Sequence, residues 1–158
     1  MPKYETVRNV AHTPQQMFAL VADIERYPEF LPMCEALSVR SRKQAHGVVV
    51  SIADMTVGYK AIRETFTSQV IAREADNAIN VKYLDGPFRF LDNRWRFEPD
   101  GAGGTNINFY INYEFKSRIL GAMMGAMFDR AFRMFAGAFE QRADQIYGAP
   151  LSASASQG

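Results

Sequence analysis

Cys34 is the single thiol of the chain, and His12 and His46 are its two imidazoles, so any thiol or imidazole chemistry must run through these three residues. A Ser-His-Asp triad or a Cys-His pair needs an imidazole beside the nucleophile, and a zinc site needs several such ligands at close spacing. Each histidine falls near a predicted loop with no cysteine or carboxylate at ligand spacing, so neither hydrolase chemistry nor a metal site is supported. Cys34 reads as a buried, inert thiol. The glycines of 100–104 give that stretch a superficial likeness to a phosphate loop, but it lacks a following helix and the Lys-Ser/Thr pair. Gly121-x-x-x-Gly125 has the spacing of a membrane helix-dimer motif, yet Arg118, Asp129, Arg130 and Arg133 preclude a spanning helix. Close packing of both glycines on a neighbouring element is expected instead. Arg63 and Glu64 lie on opposite faces of a predicted strand, so one points inward, where it could orient a ligand carbonyl or be satisfied by another side chain.

These residues belong to a chain of 158, 47% hydrophobic and 22% charged, whose 18 basic and 17 acidic side chains leave a net +1. A chain of this length buries roughly 70% of its unfolded surface, enough for one domain with a full core and no disulfides. That charge argues against binding nucleic acid by bulk attraction, and no DNA partner is expected. Residues 116–147 carry five positive against three negative charges. That surplus could help docking on anionic lipid or ribosomal RNA, and a solvated helix face explains it equally well. One cysteine forbids an intrachain disulfide and points to a reducing compartment. Neither a signal-peptide run nor a stretch of ~20 apolar residues is visible, so a cytoplasmic location is expected.

The elements follow from hydrophobic period. Residues 4–11 form a short strand-like run. Thr13 can cap, and Pro14 can open, a helix over about 15–24, where Met17, Phe18, Leu20, Val21 and Ile24 recur at helical spacing. Pro28 and Pro32 then limit any helix to about one turn. From 35 to 115 alternating β-branched and aromatic segments, punctuated by turn signals, predict a meander of about six strands. The last is the clearest, with Ile107, Phe109, Ile111, Tyr113 and Phe115 on one face and Asn106, Asn108, Asn112 and Glu114 on the other. Residues 116–147 form one long helix with Leu120, Met124, Met127, Phe128, Ala131, Phe135, Ala138, Phe139 and Ile146 on its apolar side. Adding Met123, Phe132 and Met134 widens that arc to nearly half the helix, which demands a partner. The predicted class is α+β, a curved antiparallel sheet wrapped around a long C-terminal helix. Space left between these layers would suit a small apolar ligand.

Two motifs narrow the reading. Asp23-Ile24-Glu25-Arg26-Tyr27-Pro28-Glu29-Phe30-Leu31-Pro32-Met33-Cys34 is followed about fifty residues later by Asp85-Gly86-Pro87-Phe88-Arg89-Phe90-Leu91-Asp92-Asn93-Arg94-Trp95-Arg96-Phe97. Together with the order of elements they resemble the coenzyme Q-binding START-domain family of the helix-grip, polyketide cyclase and lipid transport superfamily. That family includes mitochondrial ubiquinone-binding proteins and bacterial ribosome association toxins. With no presequence ahead of the domain, this chain is similar to the bacterial members.

The resemblance implies a START-like domain over 1–147, with a disordered tail over 148–158. It implies a non-enzyme with no cofactor, which encloses ubiquinone or a related polyisoprenoid lipid and supports cellular respiration. Peripheral contact with the inner membrane belongs to the same expectation, and the ribosome is the alternative partner. A polyketide cyclase or aromatase would need a poised acid or base in its cavity, and none stands out. The expected ligand contacts are Tyr27, Phe30, Leu31 and Pro32 as a rim, with Phe88 in a facing Gly86-Pro87-Phe88 gate. Leu91, Trp95, Phe109 and Tyr113 would contribute from strands. Met124, Met127, Phe128 and Phe135 would contribute from the long helix, where thioethers adapt to irregular chains.

Overall fold

The structure, a computed structural model, describes residues 3–148, so the expected tail lies outside the described residues except for Gly148. Strand β1 (Lys3–Val10) leads into helix α1 (Pro14–Ala22), which starts where the sequence predicts. Thr13 Oγ1 accepts from the Gln16 backbone N–H at 3.1 Å while Gln16 Oε1 accepts from Thr13 N–H at 3.0 Å, closing a capping box in front of Pro14. α1 buries Met17, Phe18, Leu20 and Val21 and ends two residues before Ile24. There the chain tightens into a 3-10 turn, Ile24–Glu29, because Pro28 has no N–H to donate and its ring crowds the preceding turn.

Six strands follow: β2 (Cys34–Ala45), β3 (Val48–Tyr59), β4 (Ile62–Arg73), β5 (Ala78–Asp85), β6 (Phe88–Pro99) and β7 (Thr105–Phe115). All pairings are antiparallel, and the order across the sheet is β1-β7-β6-β5-β4-β3-β2. The first strand thus returns to the last and leaves β2 as the far edge. Irregularities in register fall at 34/36, 39/41, 67/68 and 88/90, and such bulges curl a sheet. β7 alternates strictly between buried and half-buried residues, as its sequence requires. The 100–104 loop is a hairpin connection. Asp100 accepts from Asn9 and from the backbone of Ala102 and Gly104, which holds its carboxyl below the usual range.

Helix α2 (Arg118–Tyr147) is 30 residues long, roughly 45 Å at 1.5 Å per residue, and packs against β1, β7 and α1. Ser117 caps it by accepting from Leu120 N–H. Its C-terminal half carries polar ties to the rest of the chain. Arg8 binds Glu140 through two nitrogens at 2.9 and 2.7 Å, His12 Nε2 lies 2.7 Å from Asp144, and the Tyr147 hydroxyl donates to Gln16 O. The buried stripe is narrower than the sequence suggests: Met123 and Ile146 are 53% and 51% exposed, and Met134 also faces solvent. Ala136 and Ala143 are buried instead, small residues that allow close approach to the elements beneath. A Cβ on Gly121 would meet Phe115 at an ordinary 3.6 Å and one on Gly125 would meet nothing, so the expected tight packing of that pair is absent.

Candidate functional site

A cavity of about 110 Å³ lies between the concave face of the sheet and α2. Its floor follows from the register. Ala53 pairs with Ser68, Met55 with Phe66, and Ser51 with Val70, so the alternate residues of β3 and β4 that point inward include two small neighbours, Ala53 and Ser68. Ile79, Val81, Leu91, Asn93, Trp95 and Ile111 continue the floor across β5, β6 and β7. Phe128, Ala131, Phe132, Phe135 and Phe139 of α2 form the roof, while Tyr27, Leu31, Pro32 and Met33 close one side. Ala53, Ser68 and Ala131 are the smallest side chains on the wall, and room remains where they stand.

Among the described residues the wall contains no Asp, Glu, His, Lys, Arg or Cys. Its few polar groups are mostly committed. The Tyr27 hydroxyl donates to Val21 O, and burial pushes its pKa well above that of an ordinary phenol. Asn93 donates to Tyr110 O at 2.9 Å and accepts from Trp95 Nε1 at 3.1 Å. Ser68 is 4% exposed, and its hydroxyl has no protein partner.

Seven of the thirteen expected contacts stand on the wall: Tyr27, Leu31, Pro32, Leu91, Trp95, Phe128 and Phe135. The other six do not. Phe30 lies behind the wall, edge-on to Phe139 at 5.2 Å and under the Arg142 guanidinium. Phe88 is fully buried among Phe66, Tyr83, Tyr113, Phe115 and Phe128, and a Cβ on Gly86 would come within 2.6 Å of Phe66 Cβ, so Gly86-Pro87-Phe88 is a packed corner rather than a free flap. Phe109 packs on Trp95 at 4.6 Å, and Tyr113 on Phe132 at 5.3 Å, its hydroxyl pushed up to about 12 by burial. Between them Ile111 reaches the cavity. Met124 is wholly buried in the core and Met127 is half-buried off the wall; the thioethers that do line the space are Met33 and Met55.

Ala53, Met55, Phe66, Ser68 and Val70 were not among the expected contacts; alternation along β3 and β4 places them on one face, a signal that core and cavity share. Arg63 faces outward and pairs with Glu35 at 2.7 Å. Glu64 shares the cavity face by register, one step beyond Phe66, and stays half-buried outside the wall. Cys34 is buried, and burial pushes its thiol up to about 11. His12 is bonded to a carboxylate, Asp144, but no cluster of three metal-ligating side chains exists among the described residues. Beyond Val70, which the two spaces share, a more polar cleft of about 240 Å³ opens between the end of α1 and β2–β4, its Arg42 paired with Glu25. No helix among the described residues is long and apolar enough to cross a membrane.

Known proteins are similar to this chain in sequence and in fold. A ribosome association toxin RatA from Rickettsia prowazekii (strain Madrid E) is 32% identical over 149 residues, spanning 92% of this chain and 99% of the relative. A coenzyme Q-binding protein COQ10 homolog B, mitochondrial, from Xenopus laevis is 29% identical over 160 residues, spanning 97% of this chain and 64% of that protein. The solution structure of an 18 kDa protein from Caulobacter crescentus superposes with a TM-score of 0.78 at 35% identity, covering 94% of this chain and all of the other. The curved antiparallel sheet and the long C-terminal helix are those of a START-like helix-grip fold. The family model for polyketide cyclase / dehydrase and lipid transport matches residues 10–140, and the chain belongs to that family.

Proposed function

We propose that the chain is a non-catalytic carrier that shelters part of ubiquinone, or of a related polyisoprenoid lipid, between sheet and helix and so supports respiration. The observation that carries this reading is a cavity walled by apolar side chains with no acid or base to perform chemistry. Binding is driven by desolvation. At about 0.8 kcal/mol per buried carbon, ten isoprenoid carbons contribute roughly 8 kcal/mol, a micromolar affinity before ordering costs. Pockets for drug-sized ligands run to roughly 300–1,000 Å³, so a cavity of about 110 Å³ admits one end of such a molecule. The ligand passes to and from a membrane by peripheral contact.

Trp95 is the single tryptophan of the chain and stands on the wall, so a bound quinone ring reports itself by quenching. Titration with short-chain ubiquinones should quench Trp95 saturably at one ligand per chain, and organic extraction of natively purified protein should yield an isoprenoid. Absence of both overturns the carrier reading.

A second reading, binding to the large ribosomal subunit, is supported by the name of the Rickettsia relative. Co-sedimentation with large subunits that survives moderate salt would favour it, whereas loss at low salt marks nonspecific attraction.

A further inference from the structure

The geometry points to Ser68 as the anchor for the polar end of the ligand, and it limits that end to a neutral oxygen acceptor, a carbonyl or an ether. This rests on the carrier reading above and adds an orientation: the oxygen enters first and lies against β4, with the hydrocarbon behind it. Ser68 is 96% buried by its 4% exposure, points to the cavity face beside Ala53, and its hydroxyl meets no protein acceptor. A buried hydroxyl left without a partner costs stability, and a ligand acceptor at this point would recover it. Every other hydrogen-bonding side chain on the wall, Tyr27, Asn93 and Trp95, already has a protein partner. Among the described residues two further buried polar atoms lack one, Asn112 Oδ1 and Arg142 Nε, but neither residue lines the cavity.

The charge of the ligand follows from the same wall. A carboxylate or phosphate carried to Ser68 would lose its hydration with no cation on the wall to replace it, which excludes acids and phosphorylated head groups from this end. A carbonyl needs one donor, and Ser68 supplies one.

Three probes test this on the full chain: a ubiquinone with two isoprene units, the oxygen-free isoprenoid hydrocarbon of matching length, and a fatty acid of matching length. The quinone is read by Trp95 quenching and the others by competition against it. Ser68→Ala should weaken the quinone about tenfold, since its oxygen is then buried unpaired, and leave the hydrocarbon unchanged. Ser68→Thr, which keeps the hydroxyl, should restore the quinone. Without ligand, Ser68→Ala should melt about 2–4 °C above the wild type, because an unpaired buried hydroxyl has gone. Unchanged quinone affinity in Ser68→Ala overturns the anchor while leaving the carrier reading intact. A fatty acid that outcompetes the quinone overturns the limit to neutral acceptors. If no probe binds the wild type, carrier and anchor fail together.

Discussion

The two halves of the space between sheet and helix are built differently. Under α2, where β6 and β7 meet it, ring packs on ring: Phe88 has Phe115 at 4.8 Å, Phe128 at 5.8 Å and Tyr113 at 5.9 Å, and Trp95 has Phe109 at 4.6 Å and Phe139 at 5.2 Å. Over β3 and β4 the inward residues on the wall are Ala53, Met55, Val57, Phe66, Ser68 and Val70, of which Phe66 alone carries a ring, and the cavity opens there. The same roof, Phe128 and Phe132, serves both halves. A helix lying close to one side of a curved sheet compresses that side and leaves the other short of partners, and small residues on the open side keep it open. The ringed half therefore holds the fold together, while the open half has room to bind.

The largest effect should come from hollowing the dense half. Phe88→Ala removes a fully buried ring with five aromatic neighbours and should cost about 3–5 kcal/mol in urea denaturation, a large share of what a domain of this size has. A cost under about 1 kcal/mol would mean that the rings are no denser than the rest. Filling the open half should act on binding instead. Ala53→Leu places three more carbons beside Ser68, so quinone affinity should fall at least tenfold while stability changes by less than about 1 kcal/mol. Destabilisation of the 1–3 kcal/mol typical of overpacking would show that the two halves are equally full.

Most of the fold was legible because period decides which side chains turn inward. The alternation from Thr105 to Phe115, the cap at Thr13 and the end of the long helix at Tyr147 all stand where the pattern puts them. The site was half legible for the same reason. Phe109, Ile111 and Tyr113 carry one signal, yet only Ile111 reaches the cavity, because what lies opposite an inward residue depends on where the helix rests on the sheet. Alternation turns Ser68 and Ala53 inward but did not mark them as site residues, since a small residue matters here for the volume it leaves empty. Met124 and Met127 drew attention by type, and the helix turns them to the core and away from the wall.

The smallest effect concerns whether the open half also loosens on its own, and Cys34 reports it. The thiol begins β2 opposite Val57, a wall residue, so it lies beside the cavity. Cys34 is buried, so labelling requires opening, and the same burial raises its thiol from 9.0 to about 11. The linkage has a definite sign. Between about pH 9 and 11 the unfolded thiol is ionised while the native one still holds its proton, so this group's contribution to stability is present below pH 9 and declines as pH rises toward 11. At pH 8, labelling of Cys34 by a small thiol reagent should exceed the rate that global unfolding allows and should depend only weakly on urea, because a local opening exposes little surface. Bound quinone should slow it by closing the same half. Labelling that follows global unfolding, with its full urea dependence, would mean that the dense and open halves rise and fall as one unit.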